Sequence, residues 1–393
     1  MIQFDPGQTI LLNIGIDTFA ITIMLIIHRS YRRDFADTPD IRLMYWINLC
    51  VLCILLVDIL MWMTNGRAGK AARIVGYADN MAYFFLQFVT AFLWLRYAWG
   101  RIFGQALPRW LALFCVRIPF FLLSLCLFTT PWTHWYFYLD ELNRYCRGVL
   151  SLPMFVLNLA YLAVVSAAAL VQYRKEVFLD RKRELASIAF FAVPPLFGGA
   201  MQILIYGISL VWPCTILSCL LVLLTKESQA IARDPLTGLN NRRNMEKYLK
   251  MYGEGRQFGA LAVIVIDLNN FKQINDRYGH KMGDVALIRA ADILRITFSG
   301  TPTVLARYGG DEFVVLLPGS GERGAEEAVR KIETNFDQHS GTGQLPFPMS
   351  VSIGWAISAE KGRGRAEDLL READENMYRE KTRYHRQSEA QPV

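Results

Sequence analysis

The fold of the carboxyl-terminal part of this chain is decided by the segment Arg307-Tyr308-Gly309-Gly310-Asp311-Glu312-Phe313-Val314-Val315-Leu316-Leu317. Apolar runs flank the diglycine on both sides, which predicts a β-hairpin with Gly309 and Gly310 at its turn. Glycine supplies the positive φ angles of a tight turn, and it leaves the backbone open to a large ligand. Asp311 and Glu312 follow directly, so the hairpin is suited to hold a metal ion.

A further carboxylate lies upstream of the hairpin. The continuous apolar run Leu261–Ile266 is rich in β-branched residues, which predicts a strand covered on both faces, and it is followed by Asp267. An ordinary hairpin with solvated acids is the alternative for the diglycine segment alone. A carboxylate at the end of a central strand, next to where the hairpin would lie, favours the metal site.

Five blocks in the right order resemble the GGDEF domain of the diguanylate cyclases, which join two GTP molecules into cyclic di-GMP. The resemblance covers roughly residues 230 to 385 and implies a five-stranded core with the palm-like arrangement of the class III nucleotide cyclases. The matching blocks are Asp234–Arg243, Asp267–Asp284, the diglycine hairpin, Ser352–Gly354, and Ala373-Asp374 with Tyr378 and Lys381.

The resemblance also implies the chemistry. The 3′-hydroxyl of one GTP attacks the α-phosphorus of the other and pyrophosphate leaves, so catalysis is mostly positioning and charge neutralisation. The implied cofactor is Mg²⁺, with Mn²⁺ as an alternative, because hard cations take oxygen ligands. The implied metal ligands are Asp267, Leu268, Asp311 and Glu312. The last two also activate the 3′-hydroxyl, and either could be the general base.

Substrate-binding positions follow from the same resemblance. Asn275 and Asp284 match guanine-recognising residues, and helix capping is their alternative role. Phe271 and Lys272 match residues whose main chain meets the triphosphate, and Lys381 matches the basic group that neutralises it. The remaining predicted substrate-binding residues are Arg307, Gly309 and Gly310.

The chain departs from the family pattern at three places. His385 stands four residues after Lys381, where the family usually has Arg, which leaves the second phosphate contact open. The segment Gly300–Thr303 replaces the Arg-x-x-Asp of an inhibitory product site, so we expect weak product inhibition. Asn269 replaces a frequent Asp at a position that we do not assign to the metal.

The first 225 residues are much more apolar than the rest of a chain that is 53% hydrophobic overall. They contain seven stretches of about 20 mostly apolar residues, each long enough to cross a bilayer as a helix. The predicted spans are 10–28, 43–63, 77–98, 110–130, 149–171, 186–206 and 208–225, the last two forming a tight hairpin.

The predicted architecture is therefore multi-domain. An α-helical transmembrane bundle of about seven helices occupies residues 1–225 and a short connector residues 226–233. An α+β GGDEF domain of the palm-like nucleotide cyclase type occupies residues 234–393. Asp234-Pro235 at the end of the connector resembles a helix start with proline at its first position.

Basic residues are concentrated after the first, third and fifth spans, so these loops are predicted to be cytoplasmic. Arg67, Lys70 and Arg73 in the second loop weaken the count without reversing it. Seven spans then place the amino terminus outside and the catalytic domain in the cytoplasm, as in a multi-pass protein of a bacterial cytoplasmic membrane. The basic loops also account for much of the net charge of +7, so we expect the lipid bilayer, and no nucleic acid, as a partner.

Several polar residues fall in or near the predicted spans, where ionisable groups are costly and usually paired. They either hold the bundle together or mark the site of an unknown signal ligand or partner. They are Asp17, Asp58, Asp79, Asn80, Gln87 and Arg117.

Two readings of the whole chain compete. One GGDEF domain holds one GTP, so a cyclase would act as a homodimer with two domains face to face. The rival is a degenerate domain that binds GTP or cyclic di-GMP and only relays a signal from the membrane. Intact acids at Asp267, Asp311 and Glu312 favour the enzyme.

Overall fold

The computed structural model describes residues 6–33, 39–176, 178–205, 207–254, 260–340, 345–358 and 366–390. The chain divides into two compact units, Met1–Glu227 and Ser228–Val393.

The first unit is built almost entirely of helices, the last of which ends four residues into the second unit. They are α1 (Pro6–Arg33), α2 (Pro39–Thr64), α3 (Lys70–Phe103), α4 (Arg109–Ala112), α5 (Ile118–Phe128), α6 (Thr130–Thr133), α7 (Ser151–Lys175), α8 (Leu179–Phe190), α9 (Val193–Leu204) and α10 (Val211–Ile231). A single π-helical turn, Leu113–Arg117, joins α4 to α5, so Arg109–Phe128 runs as one apolar segment.

Within the described residues of this unit, seven helical segments are long and apolar enough to cross a membrane, which confirms the predicted number of apolar helices. The sixth begins at Leu179 instead of position 186 and is interrupted by a turn at Phe191-Ala192. Its predicted end, position 206, lies outside the described residues. The segments are Gly7–Arg32, Pro39–Thr64, Lys70–Phe103, Arg109–Phe128, Ser151–Lys175, Leu179–Gln202 and Val211–Ile231.

Apolar side chains cover both the inner and the outer faces of these helices. On α1, Met24, Ile27 and Tyr31 are buried in the core that the helices share, whereas Phe19 and Ile26 are 70% and 67% exposed. A helix that is apolar all round requires an apolar environment on its outer face as well. The exposure pattern is therefore that of a helix facing lipid.

Polar residues inside the apolar helices have different surroundings. Asp79 accepts a hydrogen bond of 2.9 Å from the Thr64 hydroxyl and one of 2.7 Å from the Asn80 amide, so it holds α2 and α3 together. Asp17 lies beside Asp58 on the neighbouring helix. Two roles were expected for these residues, pairing within the bundle or binding of a signal. The contacts of Asp79 show that it has the first role.

A two-stranded antiparallel sheet, β1 (Phe137–Leu139) with β2 (Tyr145–Arg147), lies between α6 and α7. Phe137 is fully buried against Phe84 of α3, with ring centroids 5.9 Å apart. Arg73 donates hydrogen bonds to the carbonyl oxygens of Leu139 and Asp140, at 3.0 and 2.9 Å. This hairpin was not predicted, because its strands are only three residues long.

The second unit contains a five-stranded sheet in the order β3-β5-β6-β4-β7, as the sequence resemblance implied. β3 pairs with β5 in parallel, and the other three pairings are antiparallel. The strands are β3 (Asn240–Asn241), β4 (Leu261–Leu268), β5 (Val304–Gly309), β6 (Glu312–Pro318) and β7 (Val351–Ile357). The helices are α11 (Arg242–Glu254), α12 (Phe271–Tyr278), α13 (His280–Thr297), α14 (Glu322–Ser340) and α15 (Ala366–Ala390).

The central strand β4 is buried at all eight positions, as its continuous apolar run predicted. Ile264 and Ile266 point into an apolar core that includes Ala290 and Leu294 of α13. Side chains alternate along a strand, so Asp267 points to the opposite face. The strand therefore carries a carboxylate into a place that its neighbours have already closed to water.

Close packing fixes α15 against β7. A Cβ atom at Gly354 would lie 2.0 Å from the Met377 nitrogen and 2.2 Å from the Ala373 carbonyl oxygen. Only glycine therefore allows the helix to approach the strand this closely. This contact determines where the later residues of α15, including Lys381, meet the sheet.

One local expectation about the hairpin is wrong. Neither Gly309 nor Gly310 has a positive φ angle. The strands reach the turn through a register shift between Arg307 and Gly309, which leaves Tyr308 as a bulge residue. The bulge changes the course of the chain before the turn, so the turn does not need left-handed glycines.

The expected helix start at Asp234-Pro235 is also wrong. Asp234 accepts hydrogen bonds from the Thr237 amide at 2.8 Å and from the Thr237 hydroxyl at 2.7 Å. The Gly238 amide then closes the turn on the Asp234 carbonyl, and Gly238 has a φ angle of 68°. A left-handed residue ends helical geometry, so the segment forms a capped turn.

Candidate active site

Two carboxylates face each other across neighbouring strands. Asp267 on β4 and Glu312 on β6 are directly paired positions of the antiparallel ladder, so their side chains share one face of the sheet. Asp267 is only 3% exposed, and Glu312 is half-buried. The fold thus places two acids within a few ångströms of each other in a poorly hydrated position.

Lys381 of α15 brings a positively charged side chain to these two acids. Its Nζ atom lies 2.7 Å from Oδ1 and 2.8 Å from Oδ2 of Asp267. The Lys381 side chain is 29% exposed and that of Asp267 is 4% exposed, so the pair joins a buried acid to an accessible base. The geometry brings together Asp267, Glu312 and Lys381, all three predicted as site residues.

The surroundings of Asp267 and Glu312 disfavour the ionised form of both carboxylates. Burial is the main cause that raises the pKa of Asp267, and the nearby Asp311 raises it further, although the Lys381 ammonium acts in the opposite direction. Burial also raises the pKa of Glu312, with added repulsion from Asp267, Asp374 and Asp311. A second positive charge at this place would therefore relieve repulsion that one lysine leaves.

The donor set fits a hard divalent cation. Oδ1 of Asp267 is buried and accepts no hydrogen bond from the described residues, apart from its ion pair with Lys381. The predicted ligands offer only oxygen atoms, from carboxylates and from the main chain of Leu268, which Mg²⁺ prefers. Within the described residues no three His, Cys, Asp or Glu side chains form a metal cluster by themselves. Phosphate and water oxygens would therefore have to complete the coordination.

The diglycine turn leaves open space beside the acids. A Cβ atom at Gly310 would meet no heavy atom within 4 Å, and one at Gly309 would lie 3.3 Å from Oε2 of Glu312. Asp311 lies in the turn, and its carbonyl oxygen accepts a hydrogen bond of 3.3 Å from the Leu268 amide. The turn therefore leaves room for a ligand without a left-handed backbone at either glycine.

Arg307 lies away from open solvent and braces the hairpin. Its guanidinium donates to the Gly310 carbonyl at 2.8 and 3.0 Å and lies 3.2 Å from a carboxylate oxygen of Asp234. Burial alone would raise the pKa of Asp234, but hydrogen bonds from Thr237 and the charge of Arg307 outweigh it and lower the pKa. These contacts give Arg307 a structural role, and its predicted phosphate contact stays a prediction.

Asn275 and Asp284 are not helix caps, so the alternative role is wrong for both. The residues that precede the helices are Asn270 for α12 and Gly279 for α13, and neither makes a side-chain capping bond. The Asn275 side chain packs on Gly283, where a Cβ atom would lie 2.0 Å from its Oδ1. Asp284 follows Gly283 and is exposed, so the amide of Asn275 and this carboxylate lie near each other where α12 and α13 approach.

Phe271 and Lys272 open α12, where main-chain N–H groups lack acceptors within the helix. Such groups can bind an anion, which agrees with the predicted triphosphate contact. Asn269 is buried and bonds to both Ser350 and Ser352, so it supports the loop between β4 and α12. A structural role therefore explains the residue at this position.

Some contributors were not predicted. Asp374 raises the pKa of Glu312 from the neighbouring helix, and only the packing of α15 on the sheet brings it there. Asp234 was predicted only as part of a helix start, although an aspartate three residues before a threonine is the signal of a side-chain-capped turn. His385 lies near enough to Asp267 to act against the rise in the pKa of that carboxyl, so His385 is close to the predicted metal ligands.

Comparison with known proteins agrees with this geometry. Residues 231–387 match the family model described as "Diguanylate cyclase, GGDEF domain". The chain is 38% identical over 150 residues to the diguanylate cyclase DgcS of Shewanella oneidensis, which is 38% of this chain and 49% of that relative. It is 32% identical over 165 residues to the diguanylate cyclase DgcP of Pseudomonas aeruginosa, covering 40% and 24%.

A relative with a different printed activity shares the same region. The chain is 34% identical over 145 residues to the cyclic di-GMP phosphodiesterase PdeR of Escherichia coli, covering 37% of this chain and 22% of that protein. The chain thus spans half or less of the length of these relatives. Residues 231–387 form a GGDEF domain, and seven candidate membrane-spanning helices precede it.

Proposed function

We propose that this protein synthesises cyclic di-GMP from two GTP molecules, with release of pyrophosphate, as a Mg²⁺-dependent homodimer in the bacterial cytoplasmic membrane. The observation that carries the proposal is the pair Asp267 and Glu312, directly opposite on neighbouring strands and beside an open diglycine turn. Named diguanylate cyclases among the relatives of the same region support the activity.

The residues divide the work by position. Asn275 and Asp284 bind the guanine edge, and the start of α12 with Lys381 binds the triphosphate. When GTP enters, Lys381 exchanges part of its contact with Asp267 for phosphate oxygens. Mg²⁺ held by Asp267, Leu268, Asp311 and Glu312 would neutralise phosphate charge.

The bond changes follow from two GTP molecules held face to face. A carboxylate oxygen of Asp311 or Glu312 accepts the 3′-hydroxyl proton of one GTP. The 3′-oxygen then forms a bond to the α-phosphorus of the other GTP, and the bond to the β-phosphate oxygen breaks. The same exchange in the opposite direction closes the ring, so each cycle releases two pyrophosphates. Because one domain supplies one GTP, the reaction requires a homodimer.

A relay that binds GTP or cyclic di-GMP without turnover is the alternative. Loss of an acid would favour it, but all the acids that the chemistry needs are present. The exposed apolar faces of the seven candidate membrane-spanning segments support the membrane location. Arg73 is one of the basic residues that weakened the prediction that the second loop lies outside. Its guanidinium binds carbonyl oxygens of the β1–β2 hairpin, so this residue has a structural role.

The connector supports control of the GGDEF domain by the bundle. The Asn241 side chain donates 2.7 Å to the Ile231 carbonyl, and the Asn241 amide donates 3.0 Å to the Ala232 carbonyl. The residues that follow Lys226 are thus bonded to β3 and are not a loose tether. A movement of α10 would therefore reach the sheet, with the signal still to be identified.

The test is direct. Purified full-length protein is incubated with GTP and Mg²⁺, and cyclic di-GMP and pyrophosphate are quantified. We expect two pyrophosphates for each cyclic di-GMP, and neither product after chelation of the metal. Binding of GTP without any product in the presence of Mg²⁺ or Mn²⁺ would establish the relay instead.

A further inference from the structure

An open cavity of about 960 Å³ lies in the helical unit, at the ends of α2 and α3 and along Arg109–Phe128. Its wall is rich in basic side chains. Five arginines line it: Arg96, Arg101, Arg109, Arg117 and Arg181.

Two of these arginines are neutralised. Arg101 pairs with Glu184 and lies 3.1 Å from Asp40, and Arg181 lies 2.8 Å from Glu184. For the other three, no carboxylate among the described residues lies within ion-pair distance. The cavity therefore has three positive charges that no carboxylate of the described residues balances.

Two of the unbalanced arginines lie inside candidate membrane spans. Arg96 precedes the end of α3 at Phe103 by seven residues, and Arg117 follows Arg109 by eight. At 1.5 Å per residue, both lie about 10–12 Å from the helix ends. Arg117 is thus well inside its 20-residue span, whereas the 34 residues of α3 exceed the thickness of a bilayer and Arg96 lies near the edge of the predicted span 77–98. A guanidinium at the depth of Arg117 is costly unless an anion meets it. Pairing within the bundle, one role expected for Arg117, is not observed among the described residues.

The backbone at Arg117 and the apolar residues of the wall give further information about the ligand. Arg117 ends the π-helical turn Leu113–Arg117, a rare feature that often occurs at functional sites. Leu43, Phe92 and Leu113 contribute apolar surface to the same wall. An anion bound here would therefore have an apolar part next to its charge.

We propose that this cavity binds the phosphate group of an anionic phospholipid, a site that rests on the proposed membrane location of the helices. Arg96, Arg109 and Arg117 contact phosphate oxygens, for which the guanidinium fork is well shaped. The acyl chains lie along the apolar part of the wall. Basic pockets on the cytoplasmic side of a helix bundle suit such headgroups.

The test is native mass spectrometry of the full chain released from nanodiscs that contain equal amounts of phosphatidylglycerol and phosphatidylcholine. We expect the wild type to retain one phosphatidylglycerol, preferred by at least about tenfold, because the choline of phosphatidylcholine adds a positive charge that the arginines repel. The double variant Arg96→Gln/Arg117→Gln should lose this preference. It should keep its thermal unfolding temperature in detergent, because neither side chain has an ion pair among the described residues.

The matched control is Arg174→Gln/Lys175→Gln at the end of α7, which removes the same charge from helix residues that do not line the cavity. It should keep the preference. An equal loss in both double variants would overturn the proposal in favour of general surface attraction. Displacement of phosphatidylglycerol by inorganic pyrophosphate would overturn the lipid assignment in favour of a soluble phosphate. Failure to enter nanodiscs at all would instead contradict the membrane location.

Discussion

Asp234 and Asp267 are carboxylates of the same domain, and each pairs with one basic side chain. Asp234 lies 3.2 Å from Arg307, and Asp267 lies 2.7 Å from Lys381. Their pKa values nevertheless move in opposite directions, down for Asp234 and up for Asp267. The presence of an ion pair therefore does not distinguish a structural acid from a functional one.

The difference lies in the other neighbours. Asp234 accepts two hydrogen bonds from Thr237 in addition to its contact with Arg307, and these outweigh the cost of its burial. Asp267 is buried more deeply and has Asp311 and Glu312 beside it, so one lysine does not balance the local charge. The first carboxylate is satisfied by the fold, whereas the second is left able to take another cation.

The largest expected effect comes from Gly354→Ala. This substitution should break the ion pair between Asp267 and Lys381 and leave that between Asp234 and Arg307 intact. The new Cβ atom would lie 2.0 Å from the Met377 nitrogen, so α15 must move away from β7 and carry Lys381 with it. Overpacking against backbone should cost about 3 kcal/mol, measured as a lower thermal unfolding temperature. Gly310→Ala is the control, since its Cβ atom meets nothing within 4 Å. Equal stability of the two variants would show that α15 does not depend on this contact.

A smaller effect is expected for Lys381→Met, which leaves Asp267 without its cation. Loss of one partner of a mostly buried pair should cost about 2 kcal/mol of unfolding free energy, and turnover of GTP should fall because a phosphate contact is lost. Lys331→Met is the control, because Lys331 and Glu327 form an exposed pair on α14. Such a pair contributes about 0–1 kcal/mol. Similar losses in both variants would remove the distinction between the two lysines.

The smallest effect is a pH dependence of stability in Glu312→Gln. The pKa of Glu312 is raised in the folded protein, so its stabilising contribution is present below the unfolded value of 4.5 and is lost as pH rises through the folded pKa. Glutamine does not titrate. The unfolding temperature of the variant should therefore exceed that of the wild type at neutral pH, and the difference should shrink as pH falls below about 5. A difference that does not depend on pH would contradict the repulsion described for this site.

The sequence predicted those parts of the fold that depend on local patterns. A continuous apolar run identified β4, and long apolar stretches identified seven helices. The diglycine turn and Asp234-Pro235 were misjudged because residue preferences alone did not show what sets the backbone geometry at each place. At the turn it is the bulge at Tyr308, and at Asp234 it is the pair of hydrogen bonds from Thr237.

The candidate site shows the same limit. Asp267 and the hairpin acids were found from their places along the strands, because strand ladders bring such positions together. The contribution of Asp374 and the cluster of unbalanced arginines were not, because helix packing brings these groups together across long stretches of sequence. The sequence indicated that Arg117 lies in or near a span, but only the structure separates paired arginines from unpaired ones.

The most direct test of the account is the rate of cyclic di-GMP formation by Asp267→Asn and Asp234→Asn, measured with purified full-length protein, GTP and Mg²⁺. Both variants remove one negative charge from an ion pair in the same domain. We expect Asp267→Asn to lose at least about 100-fold in rate while its unfolding temperature stays near that of the wild type. Asp234→Asn should lower the unfolding temperature and keep its rate within about tenfold of the wild type. Near wild-type turnover in Asp267→Asn, in a wild type that makes cyclic di-GMP, would contradict the account.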